Sequence, residues 1–423
     1  MNILLVKIHE PLPIDSGNPR LLRMALLAKE LEDRGHSVTF WTSNFDYRSH
    51  RNRFETDTEV EVSKKYEIVL RSAPIYRKHI SLRRLFHNLV LSSKLKKDLK
   101  RLENLDLIIC AFPIIELASV CACFGRRKRI PVIVDVRDLW PDIFEQRLPK
   151  LMKIVGAPLI AYWRLITQKA FAYSTGLTAI SPGILEWSQN MAGRAATSLD
   201  GYFYHGYPTS DRDSKDILQS GDEKLNSVGI NWDRLKFTVC YLGQLTGTLN
   251  FSTVAEGMRI LQSSNPQIQL IVCGTGDMDE SFKKMVQGLS NVCFTGWIGY
   301  DEGAAIMDSC QAALICYNST PDYELSIPNK IPEYLAWGLP VLCSIDGYPR
   351  KIIEDNRCGI YYKCDDVSSF IEKMNYLFES EVERKEMACN ARALFASGFA
   401  ADIVYQAMSS HCENVVKSSR LSL

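Results

Sequence analysis

A lysine and a glutamate stand three residues apart in the C-terminal half, where Ser326 to Pro340 reads SIPNKIPEYLAWGLP. Pro332 is typical of the first turn of a helix, and a helix start offers free N–H groups and a positive dipole end to an anion. We therefore predict that Lys330 and this helix start hold a diphosphate, while Glu333 accepts hydrogen bonds from two ribose hydroxyls. The same site is expected to include Ser326, Ile327 and Asn329. A solvated surface lysine, beside a glutamate that only stabilises the helix dipole, is the alternative.

Two further loops carry glycines next to regular segments. Gly274 and Gly276 follow the strand-like run IQLIVC, and Gly17 precedes the helical pattern that contains Arg23. Glycine lets the backbone approach a phosphate closely, so both loops are predicted to contact the anionic part of a ligand. Arg23 is placed with the Gly17 loop because it stands on the first helical turn. A plain tight turn is the alternative for both loops.

Regular secondary structure must position these loops. The sequence supplies it as short buried strands that alternate with helical patterns. The N-terminal half begins with the strand NILLVKI, a helical run ended by Gly35, and the strand SVTFWTS, an order that predicts a parallel sheet. The helical run IELASVCACFG is expected to end at Gly125. Later strand-like runs are DLIICAF, IPVIVDV, TGLTAIS, LKFTVCYLG, IQLIVCGTG, NVCFTGW, AALICYN and PVLCSID. The predicted fold class is α/β with two Rossmann-like, doubly wound domains, in which ligands bind beyond the carboxyl ends of the strands.

The length of 423 residues exceeds one ordinary hydrophobic core, so two domains are expected. The regular pattern fades into polar residues between about His205 and Asp233. We predict an N-terminal domain over residues 1–205 and a C-terminal domain over residues 206–390. Residues 391–423 are expected to form a helix that packs back on the N-terminal domain.

Composition and charge exclude several classes of protein. The formal net charge is +1, so the chain lacks the basic field of a nucleic-acid-binding protein. The 13 cysteines form no CxxC pair and stand mostly among apolar residues, which predicts free thiols in a reducing compartment. We find neither a basic leader nor an apolar stretch of about 18 residues, so a cytoplasmic protein without signal peptide or membrane span is predicted. The seven histidines are scattered, and no metal site is expected.

One segment, residues 77–101, is unusually basic, with nine lysines and arginines against the single acid Asp98. Apolar residues alternate with the basic ones at helical spacing. Two interpretations stay open for this segment. It is a solvated helix face, or it lies on the anionic inner face of the cytoplasmic membrane, where each basic residue contributes about 1 kcal/mol.

Several longer runs resemble a known family. SIPNKIPEYLAWGLPVL is similar to the nucleotide-sugar signature of the family-4 retaining glycosyltransferases of GT-B fold. IPVIVDVRDLWPDIF, from Ile130 to Phe144, resembles the RDLWP element of the subgroup that builds bacterial O-antigens, capsules and exopolysaccharides. TAISPGILEW and RLLRMALLAKELEDRGHSV resemble further pieces of that group. Together these runs span nearly the whole chain in the expected order.

The resemblance implies two Rossmann-like domains facing across a cleft, with the nucleotide sugar on the C-terminal domain and the acceptor on the N-terminal one. It implies retaining transfer of a hexose or N-acetylhexosamine-type sugar from a UDP- or GDP-sugar to a lipid-linked saccharide. No metal cofactor is implied, because a lysine and helix dipoles neutralise the leaving diphosphate. The resemblance puts Lys330 on the diphosphate and Glu333 on the ribose. It further places near the phosphates or the sugar Gly243, Gln244, Gly247, Gly17 and the loop of Asp138.

Three departures from the family pattern change what is expected of single residues. Many members carry another glutamate eight positions before the ribose-binding one, where this chain has Leu325, with Glu324 one residue away. The loop GQLTGTLN lacks the basic pair that many members aim at the diphosphate, so Lys330 and backbone amides are expected to carry more of that task. Arg137 stands where many members have a histidine. We place Arg137 in the catalytic set with Asp138, which is expected to orient the donor sugar or acceptor hydroxyl unless it only caps the next helix.

Two other functions remain compatible with these residues. A sugar-nucleotide epimerase of similar two-domain shape would turn over the free nucleotide sugar without an acceptor, although RDLWP and the basic segment argue against it. A catalytically inactive scaffold that binds a nucleotide sugar or a partner transferase is the second, because the family's acid is absent at Leu325.

Overall fold

The computed structural model describes residues 1–16, 19–47, 49–77, 81–147, 150–208, 214–230 and 232–421. The chain forms two compact units. Unit 1 consists of Met1–Tyr204 with Val404–Leu423, and unit 2 consists of His205–Ile403. The first division falls one residue from the expected boundary at 205, whereas the return to unit 1 starts at Val404 and not at residue 391.

Unit 1 contains ten strands and six helices before the chain leaves it, within the described residues. Their bounds are β1 (Asn2–Val6), α1 (Arg23–Asp33), β2 (Ser37–Ser43), β3 (Phe45–Asp46), β4 (Arg51–Asn52), β5 (Thr58–Ser63), β6 (Tyr66–Arg71), α2 (Leu82–Asp98), β7 (Leu107–Phe112), α3 (Ile115–Lys128), β8 (Val132–Val136), α4 (Asp142–Arg147), α5 (Lys150–Tyr173), β9 (Gly176–Ala179), α6 (Pro182–Ala192) and β10 (Gly201–Tyr202).

Eight of these strands form one sheet in the order β10-β9-β8-β7-β1-β2-β6-β5, and β3 pairs with β4 in a separate two-stranded sheet. All neighbours in the large sheet are parallel except β5, which runs antiparallel to β6. The chain moves outward from β1 to β2 and then returns to place β7 on the other side of β1. The carboxyl ends of β1 and β7 therefore mark the switch point of this sheet, where doubly wound folds bind ligands.

The third helix is longer than the sequence predicts. It passes through Gly125 and ends at Lys128, followed by Arg129 in the left-handed region at φ 57°. A Cβ on Gly125 would lie 2.1 Å from Cγ2 of Val132. Gly125 thus permits close packing of α3 on β8, so the glycine that we expected to end the helix is part of its packed face.

Unit 2 begins with a helix and then alternates strands with helices. Its elements are α7 (Lys215–Ser227), β11 (Phe237–Leu242), α8 (Phe251–Ser264), β12 (Ile268–Cys273), α9 (Asp279–Met285), β13 (Val292–Gly296), α10 (Tyr300–Ser309), β14 (Ala312–Ile315), α11 (Pro321–Glu324), α12 (Lys330–Ala336), β15 (Val341–Cys343), α13 (Tyr348–Asp355), β16 (Gly359–Tyr361), α14 (Val367–Glu379) and α15 (Glu381–Leu394), before a π-helical turn (Phe395–Phe399).

The sheet of unit 2 has six parallel strands in the order β13-β12-β11-β14-β15-β16. The strands are short apolar runs, and β11, β12, β14 and β15 are almost wholly buried between two helical layers. This order puts the switch point between β11 and β14. The predicted pair of Rossmann-like α/β domains with parallel sheets is confirmed.

The last helix, α16 (Ala401–Leu421), belongs to unit 1 from Val404 onward. His411 Nε2 lies 3.1 Å from the carbonyl oxygen of Leu199, and Arg420 pairs with Asp106. Residues 391–403 stay in unit 2 because α15 and the π-helical turn pack on α12. Ala391 is fully buried there, and the expected boundary at 390 was therefore wrong by about one helical segment.

Within the described residues, no helix is both long and apolar enough to cross a bilayer. Nor does this part of the chain bring three or more histidine, cysteine, aspartate or glutamate side chains together in a way that would hold a metal ion. All 13 cysteines are free, and most are buried.

Candidate functional site

The side chain of Lys330 reaches from the start of α12 to the carboxyl end of β11. Its Nζ donates a hydrogen bond to the carbonyl oxygen of Leu242 and lies 5.0 Å from the ring centroid of Tyr241. The ammonium group therefore stands at the switch point of the unit 2 sheet, beside an oxygen and the negative face of an aromatic ring. The structure places Lys330 where the sequence predicts a diphosphate.

Gly243 makes room for this ammonium group. It follows β11 at φ 149°, and a Cβ on it would lie 1.7 Å from Nζ of Lys330. No other residue type fits that space without displacing the lysine. Gly243 and Lys330 are thus one local arrangement, although 87 positions separate them in the sequence.

Two tyrosines hold the arrangement in place. The hydroxyl of Tyr334 accepts a hydrogen bond from the backbone N–H of Leu242 at 3.0 Å, and the hydroxyl of Tyr241 donates to the carbonyl oxygen of Gln244 at 3.0 Å. Both rings are buried, and burial raises the pKa of each well above its usual range. Because both hydroxyls stay neutral, they tie α12 and the 243–247 loop to β11 at any physiological pH.

The start of α12 offers fewer backbone donors than the sequence predicts. The N–H of Ile331 donates to the carbonyl oxygen of Pro328 at 3.0 Å, and Pro332 has no N–H. The helix has only seven residues, and Asn329 at its N-cap makes no side-chain capping bond. The expected anion grip at this helix start therefore depends mainly on the ammonium group of Lys330.

Glu333 lies in the first turn of α12 and is half-buried. Ser326 is also half-buried, Asn329 is exposed, and Ile327 is buried. Ile327 can therefore contribute only its backbone or the shape of the loop. The loop residues thus surround the start of α12 as expected, while their contacts with a ligand stay a prediction.

Glu324, the acid nearest the family's second glutamate, has a local partner. Its carboxylate accepts a hydrogen bond from Ser319 Oγ at 2.7 Å. A Cβ on Gly347 would lie 2.5 Å from the carbonyl oxygen of Glu324, so the backbone is closely packed as well.

The two glycine loops of unit 2 differ in why they contain glycine. A Cβ on Gly274 would lie 1.9 Å from the carbonyl oxygen of Gly243, and one on Gly276 would lie 2.1 Å from that of Leu245. Both glycines are therefore required by packing of one loop on the other. Gly247 is exposed, and a Cβ there would meet nothing within 4 Å. The surrounding protein therefore does not require glycine at 247, and contact of this position with a ligand stays a prediction.

In unit 1, Arg23 does not face a ligand, and the expectation that it does was wrong. It is buried and donates two hydrogen bonds to the carboxylate of Asp135, at 2.8 and 3.0 Å. It also donates to the carbonyl oxygens of Phe203 and Tyr204. The predicted neighbour of Arg23, Gly17, lies outside the described residues.

Arg137 closes the same network after β8. It donates to Glu10 and, at 2.8 Å, to Asp135, and it is largely buried. Burial alone would raise the pKa of Asp135, but Arg23 and Arg137 outweigh it and hold that pKa well below its usual range. Its Nε and Nη1 are thus bonded to carboxylates, while its Nη2 is buried without a hydrogen-bond partner, and the catalytic role of Arg137 stays a prediction.

Asp138 is half-buried beyond the carboxyl end of β8. Its Oδ1 accepts a hydrogen bond from the N–H of Leu139 at 3.0 Å. The next helix begins at Asp142, four residues after Asp138. The role of Asp138 in orienting a substrate stays a prediction.

Sequence reasoning missed Lys7, which follows β1 at the switch point of the unit 1 sheet. Burial and the charge of Arg137 lower the pKa of Lys7 to about 8, and the charges of Glu10 and Asp135 only partly oppose this. A lysine directly after an apolar strand in a doubly wound sheet was the available signal. Glu10 is only three residues from Lys7, but Asp135 could not be deduced as a neighbour because it comes from a distant part of the chain.

Two family models match the chain. The model described as "Glycosyltransferase Family 4" matches residues 23–197, and the one described as "Glycosyl transferases group 1" matches residues 223–394. The first lies in unit 1 and the second in unit 2, and the second includes both Gly243 and Lys330.

One curated relative is the 2-deoxystreptamine N-acetyl-D-glucosaminyltransferase of Niallia circulans, 21% identical over 173 residues, which are 40% of this chain and 43% of that protein. The match thus spans less than half the length of the relative. Among solved structures, Anabaena HepE in complex with UDP is 16% identical with a TM-score of 0.66, covering 98% of this chain and 100% of that one. HepE has also been solved with UDP-glucose. WaaG, a glycosyltransferase involved in lipopolysaccharide biosynthesis, is 14% identical with a TM-score of 0.65, covering 97% and 99%.

Proposed function

Because this chain is a glycosyltransferase of family 4 with the GT-B fold, we propose that it moves a hexose or N-acetylhexosamine-type sugar from a UDP- or GDP-sugar, with retention at the anomeric carbon. The observation that carries this proposal is the ammonium group of Lys330 above Gly243, at the switch point of unit 2. HepE, which shares the fold, was solved with UDP and UDP-glucose. A nucleotide-sugar donor on unit 2 agrees with both.

In the proposed complex Lys330 binds the diphosphate and Glu333 accepts hydrogen bonds from the ribose hydroxyls. The exposed loop at Gln244 and Gly247 approaches the phosphates, since no side chain at 247 blocks them. A lysine beside a diphosphate stabilises charge that develops as the diphosphate leaves. We propose that the reaction needs no metal ion, and transfer should then continue in the presence of EDTA.

The proposed step exchanges one bond at the anomeric carbon for another. The bond from this carbon to the diphosphate oxygen breaks, and its electron pair stays on the leaving diphosphate beside Lys330. The acceptor hydroxyl forms the new bond from the same face and gives its proton to the leaving phosphate oxygen. On unit 1, Asp138 is our candidate for orienting the acceptor hydroxyl.

We propose a lipid-linked saccharide as the acceptor, in synthesis of a bacterial surface polysaccharide such as O-antigen, capsule or exopolysaccharide. The RDLWP run and the likeness in fold to WaaG, involved in lipopolysaccharide biosynthesis, support this class. Such an acceptor would place the protein in the cytoplasm, peripherally on the anionic inner face of the membrane. The basic segment 77–101 is the proposed contact; within it Arg83, Lys96 and Lys97 are exposed on α2, while Lys78 lies outside the described residues.

A transfer assay tests this proposal. The protein is incubated with UDP- and GDP-sugars and a bacterial lipid extract, and product is followed by mass spectrometry, with anomeric configuration read by NMR. Lys330→Ala should lower turnover by about 100- to 1,000-fold, as loss of one charge-stabilising group does. Lys351→Ala, an exposed lysine of the same unit, is the matched control.

Three outcomes would overturn the proposal. Wild-type turnover in Lys330→Ala would remove the phosphate assignment. Donor binding without transfer to any acceptor would favour a nucleotide-sugar-binding scaffold, and conversion of the donor without acceptor would favour an epimerase.

A further inference from the structure

A short antiparallel hairpin, made of β3 and β4, stands at the carboxyl edge of the unit 1 sheet. It follows β2 directly and forms a two-stranded sheet of its own, outside the order of parallel strands. In doubly wound folds this edge is where ligands bind. None of the residues assigned so far to donor binding or to the reaction lies on this hairpin, so its position makes it a candidate for a further binding element.

Hydrogen bonds and an ion pair fix the hairpin in place. Arg53, directly after β4, donates two hydrogen bonds to the carboxylate of Asp15, at 2.6 and 2.9 Å, and its side chain is only 8% exposed. Asn44 Nδ2 donates to the carbonyl oxygen of Phe54 at 2.6 Å, while the N–H of Phe54 donates to Asn44 Oδ1 at 2.9 Å. A bidentate arginine–carboxylate pair adds geometric specificity to a contact. The hairpin is therefore preorganised, which lowers the entropy cost of binding a ligand.

Aromatic and imidazole rings contact one another around this hairpin. The ring centroids of Phe45 and Tyr76 lie 5.2 Å apart. The ring of Tyr47 lies 5.8 Å from that of Tyr76 and 5.9 Å from that of His9. His50, between β3 and β4, lies 5.1 Å from Tyr47. We call these five rings the aromatic cluster.

Exposure to solvent increases across the aromatic cluster. Phe45 and Tyr76 are buried, His9 and Tyr47 are half-buried, and His50 is exposed. At the base, the hydroxyl of Tyr76 lies 2.8 Å from Nε2 of His9, within hydrogen-bond distance. The buried rings thus support the rings of Tyr47 and His50, which present their surface at the carboxyl edge of the sheet.

A pyranose ring matches the chemistry of this surface. The face of an aromatic ring carries partial negative charge and attracts the partially positive C–H groups on one side of a pyranose. The tyrosine hydroxyl and the imidazole nitrogens can exchange hydrogen bonds with sugar hydroxyls. Sites for small ligands combine aromatic walls with a few polar groups in this way. A purely apolar chain would contact the rings but could not form hydrogen bonds with their polar atoms.

We propose that the aromatic cluster binds a pyranose ring of the acceptor saccharide through Tyr47 and His50, and that it selects acceptors by the face of that ring. The inference rests on the proposed transfer reaction, which assigns the nucleotide sugar to unit 2 and leaves the carboxyl edge of unit 1 for the acceptor. Asp138 is the candidate for orienting the reacting hydroxyl. The aromatic cluster adds a surface that recognises the sugar itself.

The test is binding of the methyl glycosides of glucose, galactose, mannose and N-acetylglucosamine to the full-length protein, followed by saturation-transfer NMR. The test variant combines Tyr47→Ala with His50→Ala. The matched control combines Tyr162→Ala with Tyr376→Ala, which removes two exposed aromatic rings from other parts of the surface. Circular dichroism checks that both variants are folded.

Wild type and control should bind at least one of these glycosides, and the test variant should bind it at least about fivefold more weakly, because two ring contacts are lost. The single variant Tyr47→Phe should keep most of the wild-type affinity, because the ring remains. Equal binding by the test variant would overturn the proposal. Binding of none of the glycosides by wild type would overturn it as well.

Titration with UDP and GDP separates this inference from the proposed function. The test variant should bind nucleotide with wild-type affinity, whereas Lys330→Ala should bind nucleotide more weakly and glycoside unchanged. Weaker nucleotide binding by the test variant would show that the rings stack on a nucleobase, and it would overturn the inference while leaving the transfer reaction in place. If wild type bound glycoside but no nucleotide, the proposed function would fail and the sugar site would stand.

Discussion

Each unit carries basic residues at the carboxyl edge of a parallel sheet, but their charges have different partners. In unit 2 the ammonium group of Lys330 lies against a backbone carbonyl and an aromatic ring. In unit 1 the guanidinium groups of Arg23 and Arg137 are bonded to the carboxylate of Asp135. The contacts of Lys330 named here are with uncharged groups, whereas Arg23 and Arg137 are bonded to a buried carboxylate. Position at a strand end is therefore insufficient to assign a basic residue to a ligand.

The largest expected effect comes from breaking the buried ion pair between Arg23 and Asp135 in unit 1. Arg23→Met should lower the free energy of unfolding of unit 1 by about 3 kcal/mol, because it leaves Asp135 buried with one cation fewer. Urea titration, with hydrogen exchange followed in β8, measures the loss. Lys94→Met, which breaks the half-exposed pair with Asp57, is the control and should cost about 1 kcal/mol or less. An equal loss of unfolding free energy in both variants would mean that the hydrogen bonds of Asp135 do not stabilise the carboxyl edge of the unit 1 sheet.

A smaller effect is expected at Gly243 and Gly247 of unit 2, where the same substitution should have different results. Gly243→Ala should displace the ammonium group of Lys330 and lower turnover by about tenfold or more, since the new Cβ would overlap Nζ. Gly247→Ala should leave the free energy of unfolding within about 0.5 kcal/mol, because it meets only open space. Its KM for the donor should nevertheless rise if this loop contacts the phosphates. An unchanged KM would remove Gly247 from the site.

The smallest expected effect is on the titration of Lys7. Lys7 should lose its charge near pH 8. Since this pKa is lower in the folded chain, the unfolded chain holds more protons between about pH 8 and 10.5, and Lys7 should add stability as the pH rises through that window. NMR of ¹³C-methylated lysines, with Lys7→Met to assign the signal, reads the midpoint directly. A midpoint near the ordinary 10.5 would show that the network does not perturb this group.

The local signals of the fold could be predicted from the sequence, because buried parallel strands are continuous apolar runs. The runs that became β1, β2, β7, β8, β11, β12, β14 and β15 were all identified, and so was the site of Lys330 at a helix start. Gly125 was misjudged because its neighbour Val132 comes from the next strand. Arg23 was misjudged for the same reason, since its partner Asp135 is 112 positions away. A contact between residues that are apart in the sequence cannot be predicted from the local pattern around either of them.

The exposed surfaces of unit 1 could likewise be predicted only in part. The basic residues 77–101 were visible as a charge pattern, but the exposed apolar side chains of α5 could not be distinguished from those of a core helix by periodicity alone. Only the structure separates exposed Ile154 and Val155 from buried Ile160.

The central claim is that the charge of Lys330 is held ready for a nucleoside diphosphate. Isothermal titration of UDP and of GDP into the wild-type protein, Lys330→Ala and Lys351→Ala tests it most directly. The account predicts that wild type and Lys351→Ala bind at least one of these nucleotides with equal affinity, and that Lys330→Ala binds it at least about tenfold more weakly, because a charge-assisted contact is lost. Unchanged affinity in Lys330→Ala would contradict the account.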